Sequence, residues 1–195
     1  ILNDQKIEKD LLAYDIAPGN CLIDEWLRKN SNKKFDNDGK IGFSGKVNKL
    51  ILDQAIENFE ILSLDKSLDI NDFDISFSKG LSLEDGCSTL TEFTAHLISE
   101  GLKKIDILNN IKTKNYIFCG GGRKNKFLID KINKFMFNKE KIFENIDKFQ
   151  IDGDFVESQA FAYLAIRSCL KLPLSFPNTT RCNNPTLGGK IVKNF

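Results

Sequence analysis

The passage from Tyr116 to Phe135 limits this chain more than any other. Tyr116-Ile117-Phe118-Cys119 is a short apolar run, Gly120-Gly121-Gly122 breaks it, and Phe127, Leu128, Ile132 and Phe135 then recur at helical spacing. That order predicts a strand, a tight loop and a helix. An earlier stretch reads the same way. Ile1-Leu2, a polar turn and Leu11-Leu12-Ala13-Tyr14 predict the end of one strand and the start of another. Asp15 to Asn20 predicts a sharp turn, and Cys21, Leu22, Ile23, Trp26 and Leu27 predict a helix that begins near Pro18 and fades over residues 28–32. Strands alternating with helices across glycine-rich crossings predict an α/β layered fold.

The remaining segments fill in that plan. Val47, Leu50, Ile51, Ala55 and Phe59 mark a second amphipathic helix, whereas residues 33–43 read as polar and glycine-containing and residues 63–79 match neither period. Ser82-Leu83-Glu84-Asp85 is a variant capping box, with Asp where Glu is usual, ahead of a long periodic segment through Leu90, Phe93, Leu97, Ile98, Leu102 and Ile105. Ile142-Phe143 predicts another short strand, Gly153-Asp154 a loop, and Val156 to Leu170 an apolar helix. The last 23 residues, with Pro173, Pro177 and Pro185, read as an irregular tail. There is no internal repeat and no low-complexity linker, so the expectation is one domain over residues 1–195.

Charge excludes some partners. The balance of 28 Lys+Arg against 27 Asp+Glu leaves +1, which supplies no long-range field for nucleic acid or for an anionic membrane surface. No apolar run approaches the roughly 20 residues that span a bilayer, and the first residues do not resemble a signal peptide, so a cytoplasmic location is expected. The five cysteines are an odd number with no C-x-x-C pair, which argues against a disulfide framework and a zinc site. The chain opens on Ile1 without a methionine, and we expect it to be a piece of something longer.

Three places can carry chemistry. The triglycine loop exposes backbone N–H groups before a helix and lets a phosphate or nucleotide approach without Cβ clashes. It fits neither the Walker A pattern nor G-x-G-x-x-G, and a purely structural turn is the competing reading. Asp15, at the predicted C-terminal edge of a strand, is placed to act as a general base or to cap the following helix. Gly153-Asp154-Phe155-Val156-Glu157 opens a helix with two carboxylates three positions apart, an arrangement that also serves as an ordinary dipole partner. His96 has no second His or Cys at ligand spacing and reads as a packed or surface histidine. The lysines at 124, 126, 131, 134, 139 and 141 read as a solvated helix face.

Taken in order, Asp15-Ile16-Ala17-Pro18-Gly19-Asn20, Phe35-Asp36-Asn37-Asp38-Gly39, Cys119 to Asn125, and Gly153-Asp154-Phe155-Val156-Glu157-Ser158-Gln159-Ala160-Phe161-Ala162 resemble the C-terminal half of anhydro-N-acetylmuramic acid kinases. The likeness continues through Leu172 to Pro177 and Thr186-Leu187-Gly188-Gly189. It implies the actin-like ATPase (ribonuclease H-like) fold of the sugar kinase, heat-shock chaperone and actin superfamily, with this chain as the C-terminal lobe of two. The implied reaction opens 1,6-anhydro-N-acetylmuramic acid with water and phosphorylates O6 from ATP, in peptidoglycan recycling. Asp15 matches the family's base. Gly120, Gly121 and Gly122 match its adenosine-side motif, with Asn125 beside them, and Glu157, Pro18, Gly19 and Asn20 match sugar-side positions. Mg²⁺ is implied with ATP, without a named ligand, and the family tends toward homodimers.

Departures from the family are Ile16 and Ala17 where Thr and Gly are usual, Lys124 where Arg is usual, and Lys66-Ser67-Leu68-Asp69-Ile70 in place of K-S-T-G-[RK]. The G-T-S-x-D-G phosphate loop and the N-I-G-G-I-x-N segment do not occur in these residues. By this reading the chain alone does not turn over substrate. The rival reading is a non-catalytic nucleotide- or sugar-binding domain of the same fold.

Overall fold

A computed structural model describes residues 11–59, 68–138, 140–190 and 192. Ile1-Leu2, and Lys66 and Ser67 of the partial match at residues 66–70, lie outside the described residues. The chain forms two compact units, one of Asp15–Asp154 and one from the chain on either side of it.

The larger unit is built on one long helix. In chain order it holds α1 (Cys21–Asn30), α2 (Lys40–Ser44), α3 (Lys49–Asn58), α4 (Leu83–Leu108), β1 (Asn115–Phe118), α5 (Lys126–Phe135) and β2 (Ile142–Asn145). Ser82 Oγ accepts the Asp85 N–H at 3.1 Å and starts α4 as its spacing predicts. Asp85, however, does not return to the cap. Its carboxylate accepts the Lys46 N–H at 2.7 Å and ties the loop before α3 to the long helix.

The helix separates two apolar clusters. Leu22, Ile23, Trp26 and Leu27 of α1 meet Leu52 and Ala55 of α3 on Cys87, Leu90, Phe93 and Leu97 of α4. Leu128 and Ile132 of α5, with Met136 just beyond it, meet Ala95 on the other side. Because α4 is enclosed from both sides, it buries Ser88, Thr89, Thr91, Thr94 and Ser99 as well as its apolar stripe. Two of these hydroxyls are satisfied locally. Thr91 donates to the Cys87 carbonyl at 2.7 Å and Ser99 to the Ala95 carbonyl at 2.8 Å. Burial, reinforced by the charges of Asp36, Glu84 and Asp24, pushes the Cys87 thiol up to about 12. All five cysteines are free thiols.

The sheet is small. β1 and β2 pair in parallel, with Asn115 opposite Ile142 and Phe118 opposite Asn145. Parallel neighbours need a crossover connection, and the triglycine loop with α5 provides it. Tyr116, Phe118 and Phe143 pack toward the second cluster. The fold is therefore α/β, with the loop of interest at the C-terminal end of β1. Residues 11–14 form no strand, which corrects the expectation there. Ala13 instead donates its N–H to the Asn178 carbonyl at 3.1 Å, and Arg181 lies 4.7 Å over the Tyr14 ring.

The smaller unit contains α6 (Val156–Cys169) and α7 (Pro177–Thr180). The tail expected to be irregular is ordered around Arg167, which is 3% exposed. Its Nε donates to the Pro173 carbonyl at 2.7 Å, and its guanidinium lies 5.7 Å from the Phe176 ring. Ser175 and Thr186 form an antiparallel bridge. Among the described residues no helix is long and apolar enough to cross a membrane.

Candidate functional site

The loop after β1 is shaped by glycine at its first position. Gly120 has φ +70 and ψ −173, a conformation that side chains rarely adopt. Gly121 and Gly122 are different. Neither has a left-handed φ, and a Cβ added to any of the three glycines would meet no protein atom within 4 Å. The fold itself thus leaves room for side chains at 121 and 122. Small residues there leave the backbone edge of the loop uncovered.

Asn125 closes the loop. It is 2% exposed, its Oδ1 accepts the Leu128 N–H at 3.0 Å as the cap of α5, and its Nδ2 donates to Asn20 Oδ1 at 3.1 Å. The two bonds fix the orientation of the amide. Two candidate residues 105 positions apart in sequence are therefore in direct contact. Asn125 acts as a clasp between the triglycine loop and the turn before α1. Gly39, at φ +73, packs against the same amide, where a Cβ would lie 2.2 Å from Asn125 Oδ1. This explains the Phe35 to Gly39 segment in structural terms. Asp36, 7% exposed, accepts the Ile41 and Gly42 N–H groups at 2.9 and 2.8 Å and starts α2 in a stretch that carries no helical period.

Asp15 lies outside any strand, which corrects the expectation of a strand edge there, and it is exposed. It is not the helix cap either, since Asn20 occupies that position. Pro18 is buried and Gly19 turns the chain at φ +58 into α1. The residues that depart from the family pattern serve the packing. A Cβ on Gly101 of α4 would lie 2.8 Å from Ile16, and Ala17 packs on the first cluster. Ile16 holds the Asp15 segment against the long helix, and Ala17 holds it against the cluster. Glu157 lies in the first turn of α6, exposed, in the other unit.

A residue that sequence reasoning passed over lies under the loop. The Arg123 side chain is 4% exposed, with Asp147 at 3.0 Å and Asp154 at 2.6 Å from its guanidinium. It also donates to the Gly120 carbonyl at 3.0 Å. Arg123, then Lys124, holds the Asp154 carboxyl down at about 2, and Arg123 with the Gly153 N–H lowers that of Asp147. The acidic pair at 154 and 157 is thereby divided, since Asp154 is already committed to an ion pair.

The other chemistry-bearing residues are structural. His96 packs edge-on to the Phe135 ring at 5.8 Å, and burial lowers its pKa. Of the lysine run, Lys124, Lys126 and Lys134 are exposed as the pattern predicts, whereas the Lys131 side chain is 17% exposed, pairs with Glu92 at 2.5 Å and lies 5.0 Å from the Phe127 ring centroid. Beside it, a cavity of about 360 Å³ is lined by Asp38, Lys40, Phe43, Lys126, Phe127 and Asp130. Its aromatic walls with ammonium groups at the rim suit a planar ring.

A small parallel sheet, a glycine loop open to solvent and a side-chain-capped helix define an α/β protein. The chain belongs to the anhydro-N-acetylmuramic acid kinase family, whose model matches residues 5–194. A protein of that name from Pelagibacter ubique is 50% identical over 192 residues, covering 97% of this chain and 51% of the relative. Relatives of the same name from Brucella canis and Methylorubrum populi are 35% and 36% identical, over 94% and 93% of this chain. The chain spans about half the length of these curated relatives.

Proposed function

We propose that this chain is the C-terminal lobe of an ATP-dependent kinase with the actin-like ATPase fold, acting on 1,6-anhydro-N-acetylmuramic acid in the cytoplasm. Water adds its oxygen to C1 as the C1–O6 bridge opens, and O6 takes the γ-phosphoryl group of ATP. The product is N-acetylmuramic acid 6-phosphate, released for cell-wall recycling. Family membership and the motif order support this reading. The observation that carries it is the open glycine edge, where Gly121 and Gly122 leave space that the fold does not use.

In this reading Asp15 removes the proton from the attacking water, which its exposure permits. Gly120, Gly121 and Gly122 border the nucleotide. Asn125 acts indirectly, as the capped clasp that joins their loop to the sugar-side turn Pro18-Gly19-Asn20. Glu157 contacts the sugar. Mg²⁺ enters with ATP. Asp147 and Asp154, the carboxylates closest to the loop by their contacts, are already matched by Arg123 and do not suit it.

The test is Asp15→Asn in the full-length protein, assayed for anhydro-sugar-dependent ADP release. A general base contributes about 10²- to 10⁴-fold, so turnover should fall by at least a hundredfold while ATP affinity holds. Retained turnover would remove Asp15 from the mechanism. An inactive wild type that still binds nucleotide would put the non-catalytic binding domain in its place. The position in the C-terminal half is checked separately from the parent gene, which should encode the G-T-S-x-D-G segment upstream of Ile1. Finding it downstream would reverse the assignment.

A further inference from the structure

The nucleotide reading assigns no task to Arg123, yet the structure commits unusual resources to it. A guanidinium withdrawn from water needs fixed acceptors on every side. Arg123 has them. Nε donates to Asp147 at 3.0 Å, and Nη1 donates to Asp154 at 2.6 Å and to the Gly120 carbonyl at 3.0 Å. Asp152 lies 3.9 Å from Nη2.

These contacts form a closed ring. Asp147 holds Arg123, and its second oxygen accepts the Gly153 N–H at 2.8 Å. The Gly153 carbonyl accepts the Gly120 N–H at 3.1 Å. The Gly120 carbonyl, in turn, accepts from Arg123. Gly153 has to be glycine, because a Cβ there would sit 2.3 Å from Arg123 Nε. The peptide groups on both sides of Gly120 are thus gripped, one by Gly153 and one by Arg123. Gly120 is also the loop residue with the left-handed φ of +70.

We infer that Arg123, locked by Asp147 and Asp154, is a positioning residue that sets Gly120 in its left-handed conformation and so presents the 120–122 edge to the nucleotide. The inference rests on the nucleotide reading of that loop. Arginine is needed because three acceptors in different directions match its rigid fork. A lysine has one nitrogen and cannot reach all three.

The experiment titrates the full-length protein with ATP and with ADP by calorimetry, alongside thermal unfolding of each variant. Arg123→Lys keeps the charge and loses the fork, and should weaken both nucleotides by about tenfold. The KM for the sugar should stay near the wild-type value. Asp147→Asn should act in the same direction, and the Arg123→Lys, Asp147→Asn double variant should bind no worse than the weaker single one, because both break one ring. Gly121→Val is the control for the loop itself. If Gly121→Val weakens nucleotide binding while Arg123→Lys and Asp147→Asn bind as wild type, the positioning role is overturned and the loop reading stands. If Gly121→Val binds as wild type, the loop reading fails and the inference falls with it. A lowered melting temperature with unchanged affinity in the folded fraction shows a structural role only, and also overturns the inference.

Discussion

Asp154 shows how one side chain changes meaning once its surroundings are known. In sequence it stands with Glu157 as half of an acidic pair. In the fold Arg123 and Lys124 hold its carboxyl at about 2, against about 3.9 for an unfolded aspartate. A folded-state pKa below the unfolded one adds stability that is fully present above the unfolded value and is lost as pH falls through the folded one. The unfolding difference between wild type and Asp154→Asn should therefore be steady from pH 8 to about pH 5 and shrink between about pH 4 and pH 2. Because the Asp154 side chain is 45% exposed, that difference should also fall with added salt. Melting temperatures across pH and ionic strength check both statements, and a difference that persists unchanged at pH 2 contradicts the assignment. Arg123 itself was not legible beforehand. Its carboxylate partners Asp147 and Asp154 lie 24 and 31 positions away, and an arginine beside three glycines carries no local pattern.

Elements were legible where a local signal and the packing agree. α4 follows from its 3.6-residue period and the Ser82 cap, and α1, α3 and α5 from theirs. α2 was not visible in residues 33–43, because a buried Asp36 carboxylate at its start, rather than an apolar stripe, holds it. The Leu11 to Tyr14 run misled in the opposite sense. Its apolar residues look like a strand, but their backbone partners are Asn178 and Arg181, from the far end of the chain. Asn125 binds elements together, and its loss is measurable. Asn125→Ala removes the α5 cap and leaves Asn20 without its amide, so a cost of about 1–2 kcal/mol is expected in chemical denaturation. A change within a few tenths of a kcal/mol would show that neither bond matters to stability.

At the scale of the whole molecule, phosphoryl transfer depends on positioning and charge stabilisation from both sides of the nucleotide. The chain spans about half the length of its relatives. On the proposed function, the 195-residue chain by itself should therefore show no sugar-dependent ATP turnover, and the full-length protein should show it. A coupled ADP-release assay on both decides it, and turnover by the chain alone would contradict the two-lobe proposal. The sequence by itself determined the family, the order of the motifs and the periodic helices, because these depend on residue type and on spacing along the chain. Only the tertiary structure decided that Asn20 meets Asn125, that Asp15 stands exposed outside any strand, and that Arg123 closes a ring around Gly120. Each of those facts depends on groups that are distant in sequence. A hydrogen bond forms between neighbours in space, and the spacing of residues along the chain does not record which neighbours those are.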